Sequence, residues 1–230
     1  MKDKKHLVIL TGAGISAESG ISTFRGSDGL WEGHDIMEVA SPEGWESDME
    51  NVLRFYNLRR TQLATVEPNL GHLALKELEE HFHVSIITQN VDNLHERAES
   101  SNILHLHGEL TKVRSTINED LIYDIGYKEL NKGDLCDEGA QLRPHIVWFG
   151  EMVPALQSAK KICQTADYIA VIGTSMIVYP AAALIYFVPP YTPLFVIDPE
   201  IPDIVDYGGK IHRIAEKASI GVPKMKEMLL

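Results

Sequence analysis

Four short apolar runs stand out along the chain: Leu7–Leu10, Val84–Thr88, Ile169–Ile172 and Leu194–Ile197. None alternates apolar with polar residues. That is the pattern of strands covered on both faces of a parallel sheet. Segments with apolar positions at helical spacing lie between them, notably Gly71–His81 and Pro154–Thr165. Strands alternating with helices predict an α/β chain with a Rossmann-like, doubly wound parallel sheet. The stretch from Tyr168 to Ile197 carries no charge and is long enough to span a bilayer. However, Gly173-Thr174-Ser175, Pro180, Pro189-Pro190 and Pro193 divide it. We read it as a buried strand over 168–172, a loop, a short core helix and a second strand over 194–197.

Two stretches interrupt the rhythm. Residues 27–70 hold a loop and one strong helical pattern, roughly Ser47 to Val66. Residues 109–146 are polar and turn-rich, with Gly126, Gly133 and Gly139. The expected organisation is a Rossmann-like domain made of 1–26, 71–108 and 147–230, and a smaller second domain formed by the two insertions, 27–70 and 109–146. A cleft between two such units is a common place for a ligand.

Charge and cysteine content narrow the field. Lys plus Arg number 21 against 33 Asp plus Glu, giving −12. Such a surface repels phosphate backbones and anionic lipid, so neither a nucleic acid nor a membrane is expected as partner. Two cysteines, Cys136 and Cys163, do not make a disulfide framework and fit a reducing, cytoplasmic location. The charged start, Met1–His6, leads into an apolar run too short for a signal-peptide core.

Candidate chemistry sits at the ends of the apolar runs. Leu7–Leu10 opens into Thr11-Gly12-Ala13-Gly14-Ile15-Ser16, a strand–glycine–helix pattern that can present backbone N–H groups to a phosphate. Taken alone, it also fits a tight turn with no ligand, and its third glycine, Gly20, is not at G-x-G-x-x-G spacing. Gln89, Asn90 and Asp92 follow the second run, where open α/β sheets bind ligands. Their amides and carboxylate suit ribose hydroxyls and a carboxamide, although an Asx-rich helix cap has the same composition. In Leu104-His105-Leu106-His107-Gly108, strand alternation puts both histidines on one side. A histidine of near-neutral pKa can take a proton, but a lone one is more often structural. Gly173-Thr174-Ser175 lets a cofactor approach the backbone after the third run. Asp198 follows the fourth, in position to accept hydrogen bonds from ribose hydroxyls.

Together these segments resemble the sirtuin family. Gly12-Ala13-Gly14-Ile15-Ser16 with Gly20-Ile21-x-x-Phe24-Arg25-Gly26 is similar to its cofactor loop. So are Thr88-Gln89-Asn90-Val91-Asp92-x-Leu94-His95, Leu106-His107-Gly108, Arg143–Glu151 and Gly173-Thr174-Ser175 to its later motifs, in family order. The resemblance, which is to the bacterial class III deacylases, implies an enzyme that consumes NAD as co-substrate. The acyl-lysine carbonyl oxygen attacks C1′ of the nicotinamide ribose, and nicotinamide leaves. His107 then deprotonates a ribose hydroxyl, and the products are O-acyl-ADP-ribose and free lysine. It implies an NAD site of Gly12, Ala13, Gly14, Ile15, Ser16, Ala17, Glu18, Gly20, Ile21, Thr23, Phe24, Arg25, Trp31, Gln89, Asn90, Val91, Asp92, Gly173, Thr174, Ser175, Asp198, Pro199, Glu200 and Ala218. Val147, Phe149, Gly150 and Glu151 would pair with an acylated-lysine protein or peptide as an added strand.

Two further features bear on specificity and metal. Tyr56 and Arg59 share a helix face and resemble the Tyr-x-x-Arg pair of sirtuins that remove succinyl and malonyl groups. Ala40 matches the small residue that widens the acyl pocket. The family's four zinc cysteines align with Ser115, Asn118, Cys136 and Gly139. One thiolate of four cannot make a tetrahedral structural site, so no metal is expected. A core of Leu121, Ile122, Tyr123, Ile125, Tyr127, Leu130 and Leu135 is expected to hold the segment instead. Competing functions are a mono-ADP-ribosyltransferase using the same NAD site, and a non-catalytic NAD- or peptide-binding module.

Overall fold

The computed structural model describes residues 4–22, 30–31, 33–176 and 181–230. Its strands are β1 His6–Thr11, β2 Leu30–Trp31, β3 His34–Asp35, β4 His83–Thr88, β5 Ile103–His105, β6 Gly108–Ser115, β7 Ile122–Asp124, β8 Leu142–Ile146, β9 Tyr168–Ile172, β10 Leu194–Ile197 and β11 Ile211–Ile214. The α-helices are α1 Ile36–Val39, α2 Pro42–Ser47, α3 Met49–Leu63, α4 Leu70–Leu78, α5 Leu94–Arg97, α6 Leu156–Cys163 and α7 Ala218–Leu229.

Six strands form one sheet in the order β11-β10-β9-β1-β4-β5, and every pairing in it is parallel. All four apolar runs are strands of this sheet. The period of two along β1 explains why they had to be apolar throughout. Leu7 and Ile9 face one core with α4 and α7, while Val8 and Leu10 face the other with α6. Full burial of each such side chain contributes about 1.5–3 kcal/mol. One strand of the sheet, β11, and helix α7 had no clear sequence signal, and β5 is shorter than the alternation through His107 suggested. Both strands lie at the sheet edges and are less buried, which removes the uninterrupted apolar signature.

The chain runs from β1 outward through β4 to β5, then crosses back to β9. The order therefore reverses between β1 and β9, which is the topological switch point where open α/β sheets bind ligands. The glycine loops after β1 and β9 both open there.

Two departures from the sequence expectation concern helices near this point. No α-helix follows the first loop. The chain makes two single 3-10 turns, Ala13–Ile15 and Ala17–Ser19, ended by Gly20 at φ +97°. A macrodipole of an α-helix is therefore not available to this loop, and its anion-binding capacity rests on individual N–H groups. The expected short core helix between the last two apolar runs is likewise a 3-10 segment, Ala181–Phe187.

The second excursion, 109–146, carries an antiparallel sheet of order β7-β6-β8. It packs on α3, whose Leu53 joins Val113, Leu130, Cys136 and Leu142 in one core. Side chains reinforce the contact. Asn57 Nδ2 donates to Leu130 O (3.0 Å), Leu130 N–H donates to Asn57 Oδ1 (3.0 Å), and Arg60 Nε donates to Leu110 O (2.8 Å). Leu121, Tyr123 and Ile125 contribute as expected. Ile122, Tyr127 and Leu135 do not; they are exposed. The strand alternation in β7 points Ile122 away from Tyr123's face.

The positions aligned with zinc ligands do not fit a zinc site. Cys136 Sγ donates to Ser115 Oγ (3.3 Å), and Asn118 Nδ2 donates to Glu138 Oε1 (2.9 Å). Hydroxyl, amide and glycine offer no thiolate, so a single sulfur is left. Elemental analysis of the purified protein should accordingly find no stoichiometric zinc, and its melting temperature should be the same with and without a strong chelator. One zinc per chain would contradict this reading.

Candidate active site

The site is built where the two glycine loops meet. Gly12 N–H donates to Ile172 O (3.0 Å), Gly14 N–H to Gly173 O (2.8 Å) and Gly173 N–H to Ile197 O (2.9 Å). The backbones touch. A Cβ on Gly12 would lie 2.7 Å from Thr174 Cβ, and one on Gly14 would lie 2.5 Å from Gly173 Cα. Gly173 has φ +62°, a left-handed conformation that glycine adopts without strain.

This contact brings the second cofactor loop to the end of β4. Gln89 N–H donates to Thr11 O (2.9 Å), and Gln89 Nε2 donates to Thr174 Oγ1 (3.2 Å). Beneath it lies a buried polar triplet. Asn90 Nδ2 donates to Ser16 Oγ (3.2 Å), Ser16 Oγ donates to Asp92 Oδ2 (2.9 Å), and Leu94 N–H donates to Asp92 Oδ1 (3.1 Å). Burial pushes the Asp92 carboxyl above its ordinary value, against the pull of the Leu94 and Ser16 hydrogen bonds. The donor set is two amides, hydroxyls and one carboxylate. That chemistry fits a carboxamide and ribose hydroxyls, and thus the NAD implied by the resemblance.

Two histidines close the site from the other side. They are not partners on one strand, as alternation suggested, because β5 ends at His105 and His107 lies in the bend before β6. They nevertheless reach adjacent carbonyls: His107 Nδ1 donates to Gln89 O (3.1 Å) and His105 Nδ1 to Asn90 O (2.9 Å). Their protonation differs. Burial lowers the pKa of His107, against the pull of the Gln89 carbonyl. With Nδ1–H committed to Gln89, Nε2 carries the free lone pair. His105 Nε2 lies 2.7 Å from Glu96 Oε1. Burial opposes its charge, but the Glu96 carboxylate and the Asn90 carbonyl prevail, and its pKa is raised. His107 is thus suited to accept a proton and His105 to hold one.

Val147 N–H donates to His107 O (2.9 Å) and Phe149 N–H to Ala40 O (2.9 Å), tying the 147–151 segment to both the histidine corner and α1. Phe149 and Gly150 are exposed. The Glu151 carboxylate is engaged within the protein. Arg143 donates to it at 2.7 and 3.2 Å, Arg114 at 3.4 Å and Trp148 N–H at 2.8 Å, so its side chain shapes the loop. Glu18 likewise accepts from Ser219 N–H (3.0 Å) and Ser219 Oγ (2.8 Å). It binds the first loop to the start of α7 beside buried Ala218. Asp198 Oδ1 accepts Glu200 N–H (2.9 Å) in an Asx turn containing Pro199. Ala13, Ile15, Ala17, Ile21, Val91 and Ser175 lie on these same loops. Thr23, Phe24 and Arg25 lie outside the described residues.

On α3, Tyr56 is fully buried and Arg59 is half-buried with its guanidinium over the Phe55 ring (5.2 Å). Trp31 meets Phe55 (5.0 Å) and Tyr56 (6.3 Å) edge-on. Arg60 turns the other way: it is buried on Leu110 O and Asn57 Oδ1.

Sequence reasoning missed a second buried layer. Thr11 Oγ1 lies 3.1 Å from His95 Nε2, and the His95 ring packs edge-on against His72 (5.0 Å), which caps α4 with Asn69. Burial keeps both rings neutral, lowering His72 to about 4. It also left Trp148 and Arg143 without a role, although a Trp between Arg143 and Glu151 on the inward phase of the segment was a usable signal.

The Sir2 family model matches residues 12–180. The chain is 60% identical over 195 residues to a Helicobacter pylori protein named NAD-dependent protein deacylase, covering 81% of this chain and 85% of that relative. It is 50% identical over 231 residues to a Bacteroides thetaiotaomicron protein of the same name, covering 98% of each. A solved Sir2 homologue–NAD complex is similar at TM-score 0.85 and 38% identity, over 98% of this chain and 90% of that one. A structure of Sir2 bound to acetylated peptide gives TM-score 0.79 at 28% identity, over 99% and 94%.

The glycine contact yields a direct test. Gly14→Ala forces one backbone away from the other. It should destabilise the protein by about 1–3 kcal/mol, the usual cost of overpacking, and weaken NAD binding. Urea denaturation and NAD titration would measure both; unchanged stability would mean that the loops can separate freely.

Proposed function

The chain belongs to the Sir2 family and is an NAD-dependent protein deacylase, and we propose that it acts preferentially on lysines whose acyl group ends in a carboxylate, such as succinyl-lysine. The observation that supports this preference is the division of labour between neighbouring arginines. Arg60 is committed to the β6 backbone, while Arg59 stays on the face of α3 that carries Phe55 and Tyr56. A guanidinium near a phenol hydroxyl can bind a carboxylate through charge-assisted hydrogen bonds. Ala40, a small side chain, lies in the same core cluster as Tyr56.

In this reading the loops at Gly12–Ser16, Asn90–Asp92 and Gly173–Ser175 hold NAD. When bound, NAD supplies a scissile nicotinamide–ribose bond and the ribose that accepts the acyl group. Asn90, Asp92 and Ile21 line the nicotinamide side. The 147–150 backbone holds the substrate peptide as an extended strand beside His107. His107 Nε2 takes a proton from a ribose hydroxyl. The Nδ1–H···O=C bond to Gln89 fixes the tautomer that makes this possible. Positioning two substrates and supplying one base accounts for the chemistry required of the protein. The proposal extends to a cytoplasmic enzyme that avoids nucleic acid: Cys136 and Cys163 are free thiols, and the net charge is −12.

Replacing His107 with Ala should cut kcat about 10²–10⁴-fold while NAD still binds. In the native enzyme, kcat/KM should fall as pH drops through the depressed His107 pKa, below the ordinary 6.5, because protonation removes the lone pair. A variant that keeps a third of native activity would remove His107 from this role.

Side-by-side assays with succinyl and acetyl peptides test the preference. Arg59→Met should lower the succinyl-to-acetyl ratio of kcat/KM roughly 10- to 100-fold, from a charge-assisted contact of about 1.5–3 kcal/mol. Equal losses on both peptides, or a native enzyme that favours acetyl-lysine, would reject the proposal.

A further inference from the structure

The hydroxyl of Tyr56 has no access to solvent and accepts a hydrogen bond from Trp148 Nε1–H at 3.0 Å. The direction of this bond is forced. An indole N–H has no acceptor atom, so the tyrosine oxygen must accept and its own proton must point elsewhere. A phenol hydroxyl lies near its ring plane in one of two orientations; the indole N–H occupies the lone-pair side of one and leaves the proton the other. An acyl carboxylate takes only donors.

Trp148 is held so that it cannot turn away. The Arg143 guanidinium lies 3.4 Å from the centre of its ring, and the Trp45 ring packs on it at 5.6 Å. Its backbone N–H donates to Glu151 Oε2 (2.8 Å), and Glu151 is itself clamped by Arg143. The loop that carries the substrate peptide and the helix that carries Tyr56 therefore meet through one fixed indole.

We propose that Trp148 is a specificity-determining positioning residue, which sets Tyr56 as a hydrogen-bond donor toward the acyl carboxylate. This rests on the carboxylate-terminated acyl preference argued above. Trp148 would touch no reacting atom and act through Tyr56 alone.

The test measures kcat and KM on succinyl and acetyl forms of one peptide for native enzyme, Trp148→Phe, Tyr56→Phe and the double variant. Phenylalanine keeps a ring for Arg143 to cover and removes only the donor and some volume. The succinyl-to-acetyl ratio of kcat/KM should fall roughly 3- to 10-fold in Trp148→Phe, through KM for the succinyl peptide. The double variant should be no less selective than Tyr56→Phe, because both changes act on one hydroxyl. A role in folding alone would lower both activities together and leave the ratio unchanged, which would overturn the proposal. Additive losses in the double variant would overturn it too. If Trp148→Phe does not fold, site-specific replacement of Trp148 by benzothienylalanine, which exchanges only N–H for sulfur, should give the same loss of ratio; an unchanged ratio would reject it. A native enzyme without succinyl preference would instead reject the acyl reading itself. A preference lost in Arg59→Met and Tyr56→Phe but kept in Trp148→Phe would reject only the role of Trp148.

Discussion

The approach of two backbones at the sheet's switch point is the constraint on which the site depends. Gly14 and Gly173 are in contact with no space for a Cβ between them, and the hydrogen bonds Gly14 N–H to Gly173 O and Gly12 N–H to Ile172 O fix their register. Were either loop to move out by a methyl group, Thr174 would lose Gln89. Gln89 is in turn the residue whose carbonyl orients His107. A chain of short polar contacts thus runs from the middle of a hydrophobic sheet to His107. Its accuracy derives from the stiffness of β1, β4 and β9, buried on both faces.

The polar groups around this contact are arranged by environment as much as by position. His105 and His107 are two residues apart and bind adjacent carbonyls, yet their tendencies to hold a proton are opposite. The carboxylate of Glu96 stands beside one, and burial without such a partner governs the other. Deeper in, His72 and His95 are buried and neutral. They support Thr11 and the start of α4 without adding charge beneath Asp92.

The region around α3 is held by a different kind of contact. Arg143 bridges Glu151 and the Trp148 ring. Arg60 joins α3 to β6, and Asn57 bonds Leu130 in both directions. These buried polar contacts are costly to break. They hold the 109–146 excursion against α3.

The sequence by itself determined the sheet core, because strands covered on both faces must be apolar throughout and this leaves an unmistakable run. It also marked the ligand-binding ends of those strands, because glycines, amides and a histidine recur just past them, and the resemblance assigned the family and the NAD chemistry. The edge strand β11 was not legible, since half-exposed strands lose the apolar signature, and β5 was read two residues too long. The 3-10 turns after β1 were not legible either: glycine composition is compatible with helix and turn alike, and only the packing against Gly173 selects between them. Sequence could not show which of Arg59 and Arg60, 100° apart around one helix, is bound to the backbone; the carbonyl of Leu110, fifty residues away, takes Arg60. Nor could it see that Glu151 serves the loop or that Trp148 meets Tyr56, ninety-two residues apart. Such partnerships are decided by tertiary structure alone, because hydrogen bonds and ion pairs between distant segments leave no periodicity in the chain.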